Sequence, residues 1–129
     1  MPNTITKTIL NDGPRNHIVE MRITGDGSGE ESATSLIDVS AITGAPSSVV
    51  IEKIYWSLNG FSVTLLWNAT TDTVAVECAD GEGGIDFSSV GGPLRNTAGA
   101  GKTGDLLFST SGLVANEKGY IRVQCRKKY

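Results

Sequence analysis

Four stretches of this chain place apolar residues at every second position, and that period commits them to β-strands rather than helices. His17, Val19, Met21 and Ile23 share one phase, against Glu20, Arg22 and Thr24. Phe61, Val63, Leu65 and Trp67 alternate with Ser62, Thr64 and Asn68, and Val74, Val76 and Cys78 with Thr73 and Glu77. Ile121, Val123 and Cys125 alternate with Arg122, Gln124 and Arg126. Each stretch reads as a strand with one buried and one wet face.

Asn59-Gly60 supplies a local turn signal, since this dipeptide suits a type I′ hairpin. A two-residue loop there pairs Leu58 with Phe61, Trp56 with Val63 and Ile54 with Leu65, apolar with apolar each time. With a further turn at Asn68-Ala69-Thr70-Thr71-Asp72, residues 49–79 are expected to form a three-stranded meander. Weaker strand candidates are 4–10, 35–39, 85–89 and 105–110, and no capped segment has helical spacing. The expected fold is all-β: a single domain over 1–129, an antiparallel β-sandwich of about eight strands. Jelly-roll and immunoglobulin-like strand orders suit the pattern equally.

Composition narrows the classes of function. The 129 residues are 39% hydrophobic and 19% charged, which fits one folded domain and neither disorder nor a membrane chain. No apolar run is long enough for a spanning helix, and Met1-Pro2-Asn3-Thr4-Ile5-Thr6 lacks the pattern of a secretory signal. The net charge of −3 argues against a nucleic-acid partner. The basic end, Arg126-Lys127-Lys128-Tyr129, reads as a solvated tail or as protection of an edge strand. Cys78 and Cys125 fall on apolar phases and are expected to be free core thiols.

The motifs that invite a chemical reading are weak ones. Gly101-Lys102-Thr103 resembles part of a phosphate-binding loop, but Asn96 stands where that motif needs glycine, and a strand pattern follows instead of a helix. His17 is the only histidine and shares a phase with Val19 and Met21, so a structural role is expected over that of a general base. The turn acids Asp26, Glu30, Glu31, Asp80, Glu82 and Asp86 could serve as paired carboxylates or calcium ligands, yet they match no such spacing. Asn68-Ala69-Thr70 fits a glycosylation pattern and, more simply, a turn. Tyr55 and Tyr120 lie on wet phases, where an aromatic ring can stack on a sugar or anchor an interface. No catalytic residue, metal ligand or cofactor is expected. The glycine-rich stretch 91–104 reads as a long loop, of the kind that is commonly functional.

The run Val50-Ile51-Glu52-Lys53-Ile54-Tyr55-Trp56, then Val63-Thr64-Leu65-Leu66-Trp67-Asn68-Ala69-Thr70-Thr71-Asp72, is followed by Asp86-Phe87 and Gly91-Gly92. Then come Gly99-Ala100-Gly101-Lys102-Thr103-Gly104-Asp105-Leu106-Leu107-Phe108 and Tyr120-Ile121. With Thr24-Gly25-Asp26-Gly27-Ser28-Gly29-Glu30, this pattern resembles a group of small virion proteins of tailed phages, from about residue 15 onward. The resemblance implies a β-sandwich subunit of the particle, foremost a capsid decoration (cement) protein assembled in the host cytoplasm. Its implied partners are the major capsid protein or other virion proteins, with self-association, a trimer foremost, and neither nucleic acid nor membrane. Another virion part (a head–tail adaptor, a tail or fibre-associated protein) and a carbohydrate-binding receptor module are the alternatives. The expected assembly contacts are Gly92, Pro93, Leu94, Arg95 and Asn96 in the long loop, and Arg126, Lys127 and Lys128 at the basic end.

Overall fold

The computed structural model describes residues 3–27, 30–87 and 91–128. Among them are nine strands: β1 (Thr4–Asp12), β2 (Asn16–Thr24), β3 (Thr34–Ile37), β4 (Ser48–Leu58), β5 (Ser62–Trp67), β6 (Thr73–Cys78), β7 (Gly81–Asp86), β8 (Leu106–Ser111) and β9 (Lys118–Lys128). No α-helix occurs among the described residues. Two antiparallel sheets pack face to face, one ordered β1-β2-β9-β4-β7 and the other β3-β8-β5-β6. The order follows from nested antiparallel pairs, β2 with β9, β3 with β8, β4 with β7 and β5 with β6. Such a ribbon, folded over so that β9 also meets β4 and β8 meets β5, is a jelly roll, here with β1 added at one edge. The immunoglobulin-like alternative is thereby excluded.

The core is the inward phase of both sheets. Trp67, Phe61, Phe108, Met21, Ile54 and Ile121 are among its largest fully buried side chains. Cys78 and Cys125 are free and buried in opposite sheets. Burial pushes the Cys78 thiol up to about 12, with the charge of Glu77 adding to the effect, and raises Cys125 further still.

The Asn59-Gly60 hairpin does not form. β4 and β5 belong to different sheets, so Ile54 pairs with Ile85 and Val123, whereas Leu65 pairs with Val76 and Phe108. The matched apolar phases are real, but they meet across the core instead of side by side, and sequence phase alone cannot separate these arrangements. Gly60 takes a positive φ of 92° and Asn59 does not, so the turn is not type I′. The Gly60 N–H donates to Asp80 Oδ1 at 2.9 Å, and a Cβ at Gly60 would strike the Glu117 carboxylate. Of the expected meander only the β5–β6 hairpin survives, its turn closed by the Ala69 N–H on Asp72 Oδ1 at 3.0 Å.

Two further expectations change. The strand expected at 85–89 lies at Gly81–Asp86, inside a segment whose acids suggested turns, and Ser88 and Ser89 fall outside the described residues. Its glycines are a steric requirement: a Cβ at Gly83 would lie 2.4 Å from the Trp56 ring, and one at Gly84 would lie 2.6 Å from Tyr55. The basic C-terminal segment is neither a tail nor an edge. Strand β9 is the middle of the five-stranded sheet, paired with β2 on one side and β4 on the other.

Lys127 continues the inward phase of Val123 and Cys125 and is 5% exposed. Its Nζ donates to Asp12 Oδ1 at 2.5 Å, the Gly13 carbonyl at 2.6 Å and the Thr43 carbonyl at 2.9 Å. Asp12 Oδ2 accepts the Thr43 N–H (3.0 Å) and hydroxyl (2.9 Å), and His17 Nδ1 lies 3.4 Å from Oδ1. Burial disfavours the Asp12 charge, but the bonds from Lys127, Thr43 and His17 outweigh it and hold the carboxyl well below the usual range. His17, 2% exposed, is the structural histidine expected.

Replacing Asp12 by Ala strands the buried Lys127 ammonium, and urea denaturation at neutral pH is expected to show a loss of about 3 kcal/mol. Because the folded Asp12 carboxyl titrates below the unfolded one, its contribution is complete above about pH 4 and is lost as the pH falls toward the folded value. The acid limb of a stability–pH curve should therefore be shallower in Asp12→Ala than in the parent.

A cationic sheet face and a basic cleft

The outward phase of β9 runs Lys118, Tyr120, Arg122, Gln124, Arg126, Lys128, with no acid in the row. Because β9 is central, this row crosses the middle of the sheet's outer face. Strand register adds flanking residues: Arg22 on β2 pairs with Tyr120, and Tyr55 on β4 pairs with Arg122. Tyr55 and Tyr120 are 47% and 37% exposed, so both rings are open to a partner. The main carboxylate within the patch, Glu20, is buried and already engaged. Its Oε2 accepts from Arg22 Nη2 at 3.2 Å and its Oε1 from Arg122 Nη2 at 3.1 Å. Lys53 and Asp86 form a looser pair at 3.7 Å. The protein is acidic overall, yet this face carries a fixed row of cations.

The row ends at a cleft of about 300 Å³ lined by Ser47, Ser48, Val50, Arg95, Asn96, Lys102 and Lys128. Its wall is the 91–104 segment, the long loop of the sequence, which backbone hydrogen bonds tie to the body. Leu94 forms a two-bond bridge with Ile51, the Leu94 N–H donating to the Ile51 carbonyl at 2.8 Å and the Ile51 N–H donating back at 2.9 Å. The Thr70 N–H donates to the Ala100 carbonyl at 3.1 Å and the Thr103 N–H to the Asn68 carbonyl at 3.3 Å. Gly104 has φ +88°, and a Cβ there would lie 2.0 Å from the Ser47 carbonyl oxygen. The segment is pinned at Gly101 and Gly104, where a Cβ would strike Thr70 and the Ser47 carbonyl respectively.

The expected contact residues separate into three groups. Arg95, Asn96 and Lys128 converge on the cleft, although β9 lies far from the loop in sequence. Gly92, Pro93 and Leu94 are half-buried anchors: the Gly92 N–H donates to the Phe87 carbonyl at 2.9 Å, and Leu94 packs on the core. Arg126 faces outward, half-buried, whereas Lys127 points into the sandwich and cannot meet a partner. Sequence reasoning missed Ser47 and Ser48, weighed Lys102 only within a nucleotide-loop motif that it set aside, and did not single out Arg22 or Lys118. The alternation of β9 was visible, but its central place in the sheet was not.

The loop acids serve the fold. Glu30 Oε1 accepts from the Thr110 hydroxyl (2.8 Å) and the Leu113 N–H (3.1 Å), and Oε2 accepts from the Gly112 N–H (2.9 Å). Burial opposes the Glu30 charge, but these donors hold its carboxyl below the ordinary value. Glu31 accepts from Asn3 Nδ2 (3.0 Å) and the Thr34 hydroxyl (3.1 Å). Ser28 and Gly29 of the candidate calcium loop lie outside the described residues, and no metal-holding group of His, Cys, Asp and Glu occurs among the described ones. Lys102 leads into β8, a strand, so the segment lacks the helix that a nucleotide loop requires.

No family model and no curated protein matches this chain. Among solved structures, it is similar to a cupin superfamily protein from Desulfitobacterium hafniense, with 9% identity and a TM-score of 0.38 over all of this chain and 82% of the other. A cupin domain from Bordetella pertussis shows 10% identity and a TM-score of 0.35 over 97% of this chain and 96% of the other.

Gly104→Ala tests the pinning of the cleft wall. Backbone strain at positive φ and the clash with Ser47 should together lower stability by about 2 kcal/mol. Limited trypsin digestion should then cut at Arg95 or Lys102 well before it cuts the parent.

Proposed function

We propose that this protein is a non-enzymatic structural subunit of a phage particle, a capsid decoration protein that docks through its cationic sheet face on acidic surface of the major capsid protein. The observation that carries the reading is the outward row of β9, where cations and a tyrosine stand on the central strand of a five-stranded sheet in an acidic protein. A flat face of arginine and tyrosine has the composition of binding hot spots. Complementary charge speeds and orients docking, and repeated attachment around a shell, with the subunit self-associating as a trimer, multiplies modest contacts. The family resemblance supplies the location, the virion, and the class of partner. A head–tail adaptor or a tail or fibre-associated protein would use the same face at much lower copy number.

Quantitative mass spectrometry of purified particles separates these places: hundreds of copies fit a shell protein, and about a dozen or fewer would refute decoration. The isolated protein should bind empty expanded capsids and raise their resistance to heat. Lys118→Glu combined with Arg126→Gln should weaken capsid binding at least tenfold (about 1.4 kcal/mol). It should also flatten the salt dependence of binding while leaving the fold intact.

A second reading has its own observation, the exposure of Tyr55 and Tyr120 on one face, which suits stacking on sugar rings. Glycan binding abolished by Tyr55→Ala or Tyr120→Ala would favour a receptor-recognition module over decoration.

A further inference from the structure

The cleft at the end of the cationic row has the chemistry of a small-molecule site, distinct from the flat face beside it. Three cationic side chains, Arg95, Lys102 and Lys128, line it together with the serines Ser47 and Ser48, and no carboxylate contributes to the lining. None of the three cations forms an ion pair with Asp or Glu among the described residues. Like charges drawn together without a counter-ion repel one another, and a bound anion would relieve that repulsion.

Asn96 adds an independent observation. Its Oδ1 accepts the Ala98 N–H at 2.9 Å, which fixes the orientation of the amide and leaves Nδ2 as its uncommitted donor. That Nδ2 is the single buried side-chain polar atom without a hydrogen-bond partner among the described residues. Native proteins satisfy such a donor with water, an ion or a ligand, and Asn96 belongs to the lining of this cleft. The frame around it is rigid. Leu94 is bridged to Ile51, the Ser47 N–H donates to the Lys128 carbonyl at 2.8 Å, and Gly104 fits under the Ser47 carbonyl. The donors are therefore held in place before a ligand arrives.

We infer that this cleft binds a small, multiply charged phosphate compound, such as a diphosphate or a phosphate ester. An array of guanidinium, ammonium, amide and hydroxyl groups supplies only donors, apart from hydroxyl lone pairs, and phosphate oxygens are strong acceptors for such groups. The volume of about 300 Å³ exceeds what one inorganic phosphate fills and suits a compound of two phosphates or one phosphate with an attached organic group. Arg95 provides the planar fork for bidentate contact, while Lys102 and Lys128 act as point charges. This site does not depend on the capsid reading, because binding is measured on the isolated protein.

The test is titration of the intact protein with inorganic pyrophosphate at low ionic strength, followed by calorimetry and by NMR of the Asn96 side-chain amide. Saturable one-to-one binding with a submillimolar Kd is expected, with a shift of the Asn96 amide protons. Inorganic phosphate should bind more weakly, and a glutamate-rich peptide should not compete at equal charge concentration. Arg95→Ala and Lys102→Ala should each weaken binding about tenfold, and Asn96→Leu about fivefold. Both cations are exposed, so their removal leaves folding intact, and the Asn96 signal is read on the unsubstituted chain. No saturation at millimolar pyrophosphate would overturn the inference. So would binding that moves the signals of Tyr120 and Arg122 but not of Asn96, or equal competition by the peptide. Failure to bind capsids, with pyrophosphate binding intact, would overturn only the proposed function.

Discussion

The Lys127 ammonium is enclosed by Asp12, the Gly13 carbonyl and the Thr43 carbonyl, and this contact opposes any slip of the central strand. These groups come from the first hairpin, the segment before β4 and the last strand. Joining them closes the sandwich at one end and holds β9 between β2 and β4. A buried ion pair is not by itself a large source of stability, because desolvation offsets most of the attraction. It is instead specific: a one-residue slip of β9 would send Lys127 to solvent and push Arg126 or Lys128 into the core. The pair therefore opposes the register errors that a strand ending in three consecutive cations would otherwise permit.

The same division of labour runs through the other charges. Asp12, Glu20, Glu30 and Asp80 accept hydrogen bonds from turns, strands and arginines that need them, so these acids serve the fold. Lys118, Arg126 and Lys128 along β9, and Arg95 and Lys102 in the 91–104 segment, form no ion pair with Asp or Glu among the described residues and are available to a partner or ligand. An acidic protein can thus present a basic face without any large excess of lysine or arginine. Net charge governs long-range behaviour, while the pairing of individual charges decides what a surface can bind.

Much of the fold was legible because alternation is a strong physical signal. The strands beginning at Asn16, Ser62, Thr73 and Lys118 coincide closely with the apolar phases of the sequence. Strand β7 was hard to read because Gly83 and Gly84 carry no side chain to alternate, and they are glycine only because Trp56 and Tyr55 occupy that space. The Asn59-Gly60 turn misled for a different reason. Matched apolar phases are required both of neighbours in one sheet and of strands facing each other across a core. In the folded chain Asp80 and Glu117 surround that turn, and neither is visible from its local sequence.

The cleft shows the same boundary. Arg95, Asn96 and Lys128 could be chosen from the sequence as polar residues of a loop and a basic end, but not as neighbours. The residues alone determined that the chain is all-β, which face of each clear strand is dry, and that the two thiols belong to the core. These properties follow from local sterics and from the period of the backbone. Only the tertiary structure decided that β9 is central, that Lys127 turns inward while Lys128 turns outward into a cleft, and that the long loop is pinned. Those outcomes depend on which strands pair, and pairing is set by contacts between segments tens of residues apart.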